Sequence, residues 1–257
     1  MFFAECGKST ASLSTAEKFI MKKLLPLFVL LFIAGCEKEP LEEPYVPFVY
    51  TDSVTDSEGN VYHTVQIGGQ VWMAENLRST RYNNGDTITF EEYSTDWCYP
   101  LGGGICFYDN DSLAESIYGK IYNFHAVNDP RGLAPPGWHI PSYYELIGLV
   151  SYLGPNAGNK LREHGTKHWI VPNGEATDEY GFRALPGGWR NPQCDFESVR
   201  NEAYFWSSTH WLPSTPGYPE AWHLQVVGDK DPILAEPEHA LEHAPYITGC
   251  YIRCIKD

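Results

Sequence analysis

The clearest helical repeat in this 257-residue chain is a short one. Leu146, Leu149, Val150 and Leu153 recur at the spacing that places them on one helix face. Ser142 and Glu145 stand in capping-box positions, where hydroxyl and carboxylate each satisfy an orphan amide. Gly154-Pro155 stops the pattern. This predicts a helix from about Tyr143 to Leu153, with a second short one over Ala157–Glu163. Almost everything else from Thr51 to Asp257 is short apolar segments broken by turn residues, among 23 Gly and 19 Pro in the whole chain. One or two helices among many short strands specify an α+β domain with irregular antiparallel sheets.

The strand signals are local. Val61–Ile67 alternates apolar and polar residues, Gly68-Gly69 follows, and Gln70–Ala74 returns, which predicts a hairpin. Asp56–Asn60 and Asn84-Gly85 read as turns. Phe182–Leu185 reads as β, with a turn at Pro186-Gly187-Gly188. Tyr204–Thr209 is a strand, Trp222, Leu224 and Val226 alternate in another, and Tyr251, Ile252 and Ile255 form a last strand carrying Cys250 and Cys254. Thr51–Asp257 has even composition, no internal repeat and no second linker, so it is read as one domain.

The first fifty residues give an address. Lys22 and Lys23 precede the apolar run Leu24–Ala34, which is shorter than the ~20 residues a membrane helix needs. Ala34-Gly35-Cys36 closes it, the pattern of a lipoprotein signal peptide with Cys36 as the lipidated residue. Met21 opens a complete signal over 21–35, and residues 1–20 add nothing to it; Met21 is therefore the expected start and 1–20 a start-site misassignment. Residues 36–50, rich in Glu and Pro, read as a lipidated acidic tether. Acidic residues just after the cysteine resemble the surface-export signals of Bacteroidetes lipoproteins, which implies an outer-membrane lipoprotein displayed at the cell surface. The net charge of −15 argues against a nucleic-acid partner and against a basic membrane-binding face, leaving the N-terminal lipid as the membrane anchor.

Several phrases occur in a telling order: Gly59-Asn60-Val61-Tyr62, Gln70-Val71-Trp72-Met73-Ala74-Glu75-Asn76-Leu77, Tyr118-Gly119-Lys120-Ile121-Tyr122-Asn123, Leu133–Pro141, Gly181–Gly188, Trp206-Ser207-Ser208-Thr209 and Arg253-Cys254. Together they resemble the Fibrobacter succinogenes major paralogous domain, from about Val54 to Asp257. Segment Gly137–Glu145 and the helix after it also resemble formylglycine-generating enzymes and, more distantly, C-type lectin-like domains. The resemblance implies a C-type lectin-like fold and a secreted or surface lipoprotein. Cys98–Ile105 and Asp229–Pro245 depart from the family pattern and read as added loops.

Beyond Cys6 and Cys36, five cysteines remain, so one thiol is left over in an exported chain. Spacing does not fix the pairing. The family resemblance implies Cys106–Cys254; Cys250 and Cys254, four apart, share a strand face, which then allows a Cys98–Cys250 bridge beside it and leaves Cys194 free. There is no paired C-x-x-C signature for zinc. Cys250 and Cys254 do not match the copper motif of formylglycine-generating enzymes. On a helix His239 and His243 would share a face and could hold a metal, but a solvated acidic loop is the simpler reading and the one expected. Glu236-Pro237-Glu238 is a faint echo of a calcium-lectin motif, without the downstream partner. No cofactor is therefore expected, calcium being open but without support in the sequence, and no catalytic residue stands out; Ser207, Ser208 and Thr209 beside His210 read as strand hydroxyls and a rim histidine.

The aromatics remain. Trp72, Trp138 and Trp206 lie inside family motifs and are assigned to the core. Trp189, Arg190, Trp211 and Trp222 fall near strand ends or turns, where an indole can stack on the apolar face of a sugar. The expected function is a lipid-anchored surface module contacting glycan or a protein partner. The alternatives are an oxidoreductase related to formylglycine-generating enzymes and a structural component of a surface assembly.

Overall fold

The hairpin expected around Gly68-Gly69 is present in the computed structural model, which describes residues 45–170, 173–212, 219–228 and 240–257. Strand β2 (Val61–Ile67) pairs antiparallel with β3 (Gln70–Met73), Ile67 opposite Gln70. Gly68 sits at φ 58°, and the ring of Tyr152 lies 2.8 Å from where its Cβ would be, so turn geometry and close packing both require glycine. Strand β1 (Asp52–Thr55) pairs with the outer side of β2. The turn over Asp56–Asn60 is held by the Asp56 carboxylate, which accepts from the amides of Glu58 and Asn60.

The main helix matches its sequence signal. It runs Tyr143–Leu153 with Ser142 as N-cap; the Glu145 amide donates to Ser142 Oγ at 3.3 Å, and the Ser142 amide donates to Glu145 Oε2 at 2.7 Å. Leu146, Leu149, Val150 and Leu153 are buried, each contributing about 1.5–3 kcal/mol through lost water contact. Five α-helices occur among the described residues, more than the one or two expected: α1 (Ser94–Cys98), α2 (Ser112–Tyr118), α3 (Phe124–Val127), α4 (Tyr143–Leu153) and α5 (Ala157–Leu161). The three unforeseen ones are too short to carry a periodic stripe.

Two sheets share the remaining strands: β4 (Thr89–Phe90), β5 (Gly104–Cys106), β6 (Ile121–Asn123), β7 (Trp138–His139), β8 (Gly187–Arg190), β9 (Phe196–Val199), β10 (Glu202–Trp211), β11 (Glu220–Val227), β12 (Leu241–Pro245), β13 (Gly249–Cys250) and β14 (Ile255–Lys256). One sheet has the order β1-β2-β3-β14-β7; the other runs β12-β11-β10-β8-β13-β6-β5-β4, with β9 on β8. Pairing is antiparallel except for β4–β5 and β8–β10. The domain is α+β, as expected.

Three local expectations change. Gly187-Gly188 begins β8 instead of making a turn. A Cβ on Gly187 would lie 2.6 Å from the Tyr251 ring, and one on Gly188 2.2 Å from the Glu197 carbonyl, so these glycines let backbones approach closely. The expected last strand is two strands in different sheets: Cys250 pairs with Tyr122, and Ile255 pairs with Trp72 and His139. The expected added loops contain strands, β5 in the first and β12 in the second.

The disulfide expectation is also corrected. Cys98, at the end of α1, is bonded to Cys194, with Cα atoms 5.8 Å apart and 96 positions between them in sequence. Cys106, Cys250 and Cys254 are free and buried. They do not form the expected Cys106–Cys254 and Cys98–Cys250 bridges: Cys98 is taken by Cys194, and Cys106 lies in the core cluster under α4, with Trp72, Trp169, Phe182 and Phe205, whereas Cys250 and Cys254 lie in a second cluster with Tyr62, Tyr122, Phe124 and Trp206. Trp72 and Trp206 are fully buried, and Trp138 packs half-buried at the border of the second cluster.

Candidate functional site

Strands β10, β11 and β12 bring three of the residues singled out in the sequence onto one face. Trp222 faces His243 across β11 and β12, with ring centres 5.4 Å apart and planes nearly perpendicular. Trp211 pairs with Glu220 in register and lays its indole flat on the His243 imidazole, with centroids 3.8 Å apart and planes 5° off parallel. The Glu220 carboxylate shares a hydrogen bond with His243 Nδ1, fixing the ring edge-on. Tyr143, the first residue of α4, packs against Trp222 at 4.7 Å.

Local structure explains this convergence. Trp222, Leu224 and Val226 alternate on β11, and Leu224 and Val226 are buried in the core under α4. Trp222 is therefore the outer continuation of a core-facing row. Strand β10 carries a bulge between Trp206 and His210, where its register against β11 shifts. The bulge is fastened to the start of α4: the Ser208 amide donates to the Pro141 carbonyl at 2.7 Å, and the Tyr143 amide donates to Thr209 Oγ1 at 3.0 Å. Bulges re-aim the side chains beyond them, and Trp211 lies just beyond this one.

The result is an open aromatic ledge. Trp211 and Trp222 are half-buried and His243 is exposed, while Tyr144 is 80% and Leu212 87% exposed beside them. Glu220 supplies a carboxylate at its border. Half-buried indoles with a flanking carboxylate can stack on the apolar face of a sugar and accept from its hydroxyls. His243 belongs to β12 and not to a metal-binding helix; His239 and the Glu236-Pro237-Glu238 motif lie outside the described residues, as does Cys36. No group of three or more metal-ligating side chains occurs among the described residues.

The other two candidates lie elsewhere. Trp189 is half-buried and stacks on Tyr204, with centroids 4.6 Å apart. Arg190 is corrected from a ligand contact to a structural group: it is 1% exposed. Its Nε donates to the Cys194 carbonyl at 3.0 Å, its Nη1 donates to the Glu91 carbonyl at 3.1 Å, and its guanidinium lies over Trp97. Arg190 thus clamps the chain on both sides of the disulfide. Ser207 is buried and its Oγ accepts from the Thr209 amide, while His210 is exposed and engages Tyr246 and Asn128, in keeping with strand hydroxyls and a rim histidine.

A second concave site was not foreseen. A cavity of about 250 Å³ opens beside the residues that follow β3 and the end of α2, and Arg78, Lys167, His168, Arg183 and Arg253 line it. These residues are scattered over the chain, and Arg253 stood out in the sequence only as part of a family phrase. Beneath the cavity Asp178 is buried, and that burial pushes its carboxyl up to about 7 against the pull of the Arg183 amide and of Arg253 and Arg183.

No curated protein and no solved structure matches the chain. Its conserved-family assignment is nonetheless direct: residues 65–256 match the Fibrobacter succinogenes major domain, and the chain belongs to that family.

Proposed function

We propose that the protein is a surface-displayed binding module that contacts glycan through the Trp211–Trp222–His243 ledge. The observation that carries this reading is the parallel, face-to-face stack of Trp211 on His243, with Trp222 set perpendicular to it. Exposed large apolar side chains are costly when clustered, and such a cluster marks an interaction surface. Tyr144 and Leu212 extend the apolar area, and Glu220 supplies an acceptor for hydroxyl groups. In this reading the lipid on Cys36 holds the domain at the outer membrane and the acidic tether lets it face outward.

The oxidoreductase alternative draws little support from the thiols. Cys250 and Cys254 are fully buried, and burial pushes both thiols far above the ordinary range, away from the reactive thiolate. The test is a glycan array probed with the full chain, with and without a chelator. The expected result is saturable binding to a defined sugar. A blank array in both conditions contradicts the glycan reading and directs attention to a protein partner, sought by crosslinking on intact cells.

A further inference from the structure

The 250 Å³ cavity has a charge opposite to that of the molecule around it. The chain carries a net charge of −15, yet Arg78, Lys167, Arg183 and Arg253 line this one cavity, with Glu75 as the acid among the lining residues. Arg253 forms its floor and is 1% exposed. Its guanidinium donates to neutral acceptors: Asn76 Oδ1 from Nε at 3.0 Å and from Nη2 at 2.8 Å, and the carbonyls of Met73 and Phe182 from Nη1. Among the described residues no carboxylate is hydrogen-bonded or ion-paired to it, although Glu75 and Asp178 lie near enough to act on its charge. The Arg253 guanidinium lies over the Phe182 and Phe205 rings, and with Arg78, Arg183 and Lys167 it gives the cavity lining more cationic than anionic side chains.

The wall is built as well as charged. Arg183 holds φ at 52°, a left-handed conformation that an L side chain rarely adopts, and the Asp178 carboxylate pins it by accepting from its amide at 2.8 Å. Glu163, itself buried, accepts from Arg183 Nε at 3.4 Å through one oxygen and engages His168 Nδ1 at 2.6 Å through the other. One carboxylate thus orients both side chains on the same wall. Holding His168 by Nδ1 leaves Nε2 without a partner among the described residues. Lys167, next to it, is exposed and forms no ion pair among the described residues.

We infer that this cavity binds a small molecule bearing an oxyanion, a carboxylate, sulfate or phosphate, on a body no larger than about one sugar ring. Guanidinium groups match such oxygens with charge-assisted hydrogen bonds, and the volume lies below the roughly 300 Å³ at which drug-sized ligands begin to fit. The bound anion adds to the negative charge that Glu75 and Asp178 already set near Arg253 and offsets the Arg78 and Lys167 charges on the wall. The site shares no residue with the aromatic ledge, so each can fail without the other.

The test is isothermal titration calorimetry of the full chain at low salt with glucuronate, inorganic sulfate and inorganic phosphate, and with glucose as the uncharged control. Arg183→Gln and Lys167→Gln are the informative variants, because both side chains reach solvent, and matching circular dichroism verifies their fold. The expected result is saturable binding of at least one oxyanion that weakens with added salt, falls about tenfold in Arg183→Gln and is unchanged in Trp211→Ala. Tighter binding of glucuronate than of the inorganic ions supports a carboxylate on a sugar-sized body; equal or tighter binding of the ions supports a free oxyanion. Absence of saturable binding to all three, glucose binding as tightly as glucuronate, or wild-type affinity in both variants overturns the inference.

Discussion

Trp211 and His243 stack face to face at 3.8 Å although strand β11 runs between the strands that carry them. The contact is diagonal, reaching from β10 to β12 over Glu220 and Trp222, and Glu220 fixes the imidazole from its edge. The two tryptophans therefore have separable roles. Trp222 also packs on Tyr143 and the core, whereas Trp211 ends its strand. Trp222→Ala is expected to cost about 3 kcal/mol of unfolding free energy, and Trp211→Ala about 1 kcal/mol or less. Urea unfolding checks this; equal losses contradict the division.

The Cys98–Cys194 bond closes a loop of 96 positions, and such a cross-link removes conformations chiefly from the unfolded chain. Replacing both residues by Ser is expected to lower stability by about 3–5 kcal/mol. The same loss should follow reduction of the wild-type protein, and the variant should be indifferent to reductant. An unfolding midpoint in urea that does not move on reduction contradicts this assignment.

Cys106, Cys250 and Cys254 are free thiols buried in two core clusters, and burial pushes Cys106 up to about 12. All three should resist alkylation in the native protein and react fully in denaturant. Peptide mass spectrometry after labelling in each condition reads this out site by site. Labelling of any of the three in the native state, or a bridge between two of them, contradicts the pairing described.

The parts of the structure legible in the sequence are those built from near neighbours. Ser142 and Glu145 announce the cap of α4, and Gly68-Gly69 announces the hairpin, because both signals are complete within a few residues. The disulfide partner of Cys98 depends on where β8 places the turn after Arg190, which no local pattern encodes. The two glycines that begin β8 carry the same composition signal as a turn; the Tyr251 ring and the Glu197 carbonyl that crowd them belong to distant segments. The positions of Trp211 and Trp222 near strand ends single them out in the sequence, but their meeting with His243 rests on the β11–β12 register and on a bulge in β10. The basic cavity draws on five separated stretches of chain, so its charge is invisible in a linear reading dominated by acids.

His223 is the main source of acid sensitivity identified in the core. It is buried among Trp189, Tyr204 and Trp206, neither ring nitrogen has a partner among the described residues, and burial, aided by His243, lowers it from 6.5 to about 3. Between those values the unfolded chain takes a proton that the native imidazole refuses. Its contribution to stability is thus present above pH 6.5 and is lost as pH falls toward 3, by up to about 1.4 kcal/mol per unit. Asp178 acts in the opposite sense: raised from 3.8 to about 7, it favours the native state at acid pH and loses that contribution as pH rises through 7. Comparing wild type with His223→Leu removes the shared Asp178 effect. From pH 7 to pH 4 the difference in unfolding free energy should move in favour of the variant by about 3 kcal/mol. Parallel pH profiles contradict the buried neutral imidazole.

The most direct test of the central claim is the affinity of the full chain for its best array sugar, titrated for wild type and Trp211→Ala side by side. Binding through the ledge predicts a loss of about tenfold or more in the variant, with its fold intact by circular dichroism. Unchanged affinity in a folded Trp211→Ala variant contradicts the claim that the Trp211–His243 stack is where the protein meets its ligand.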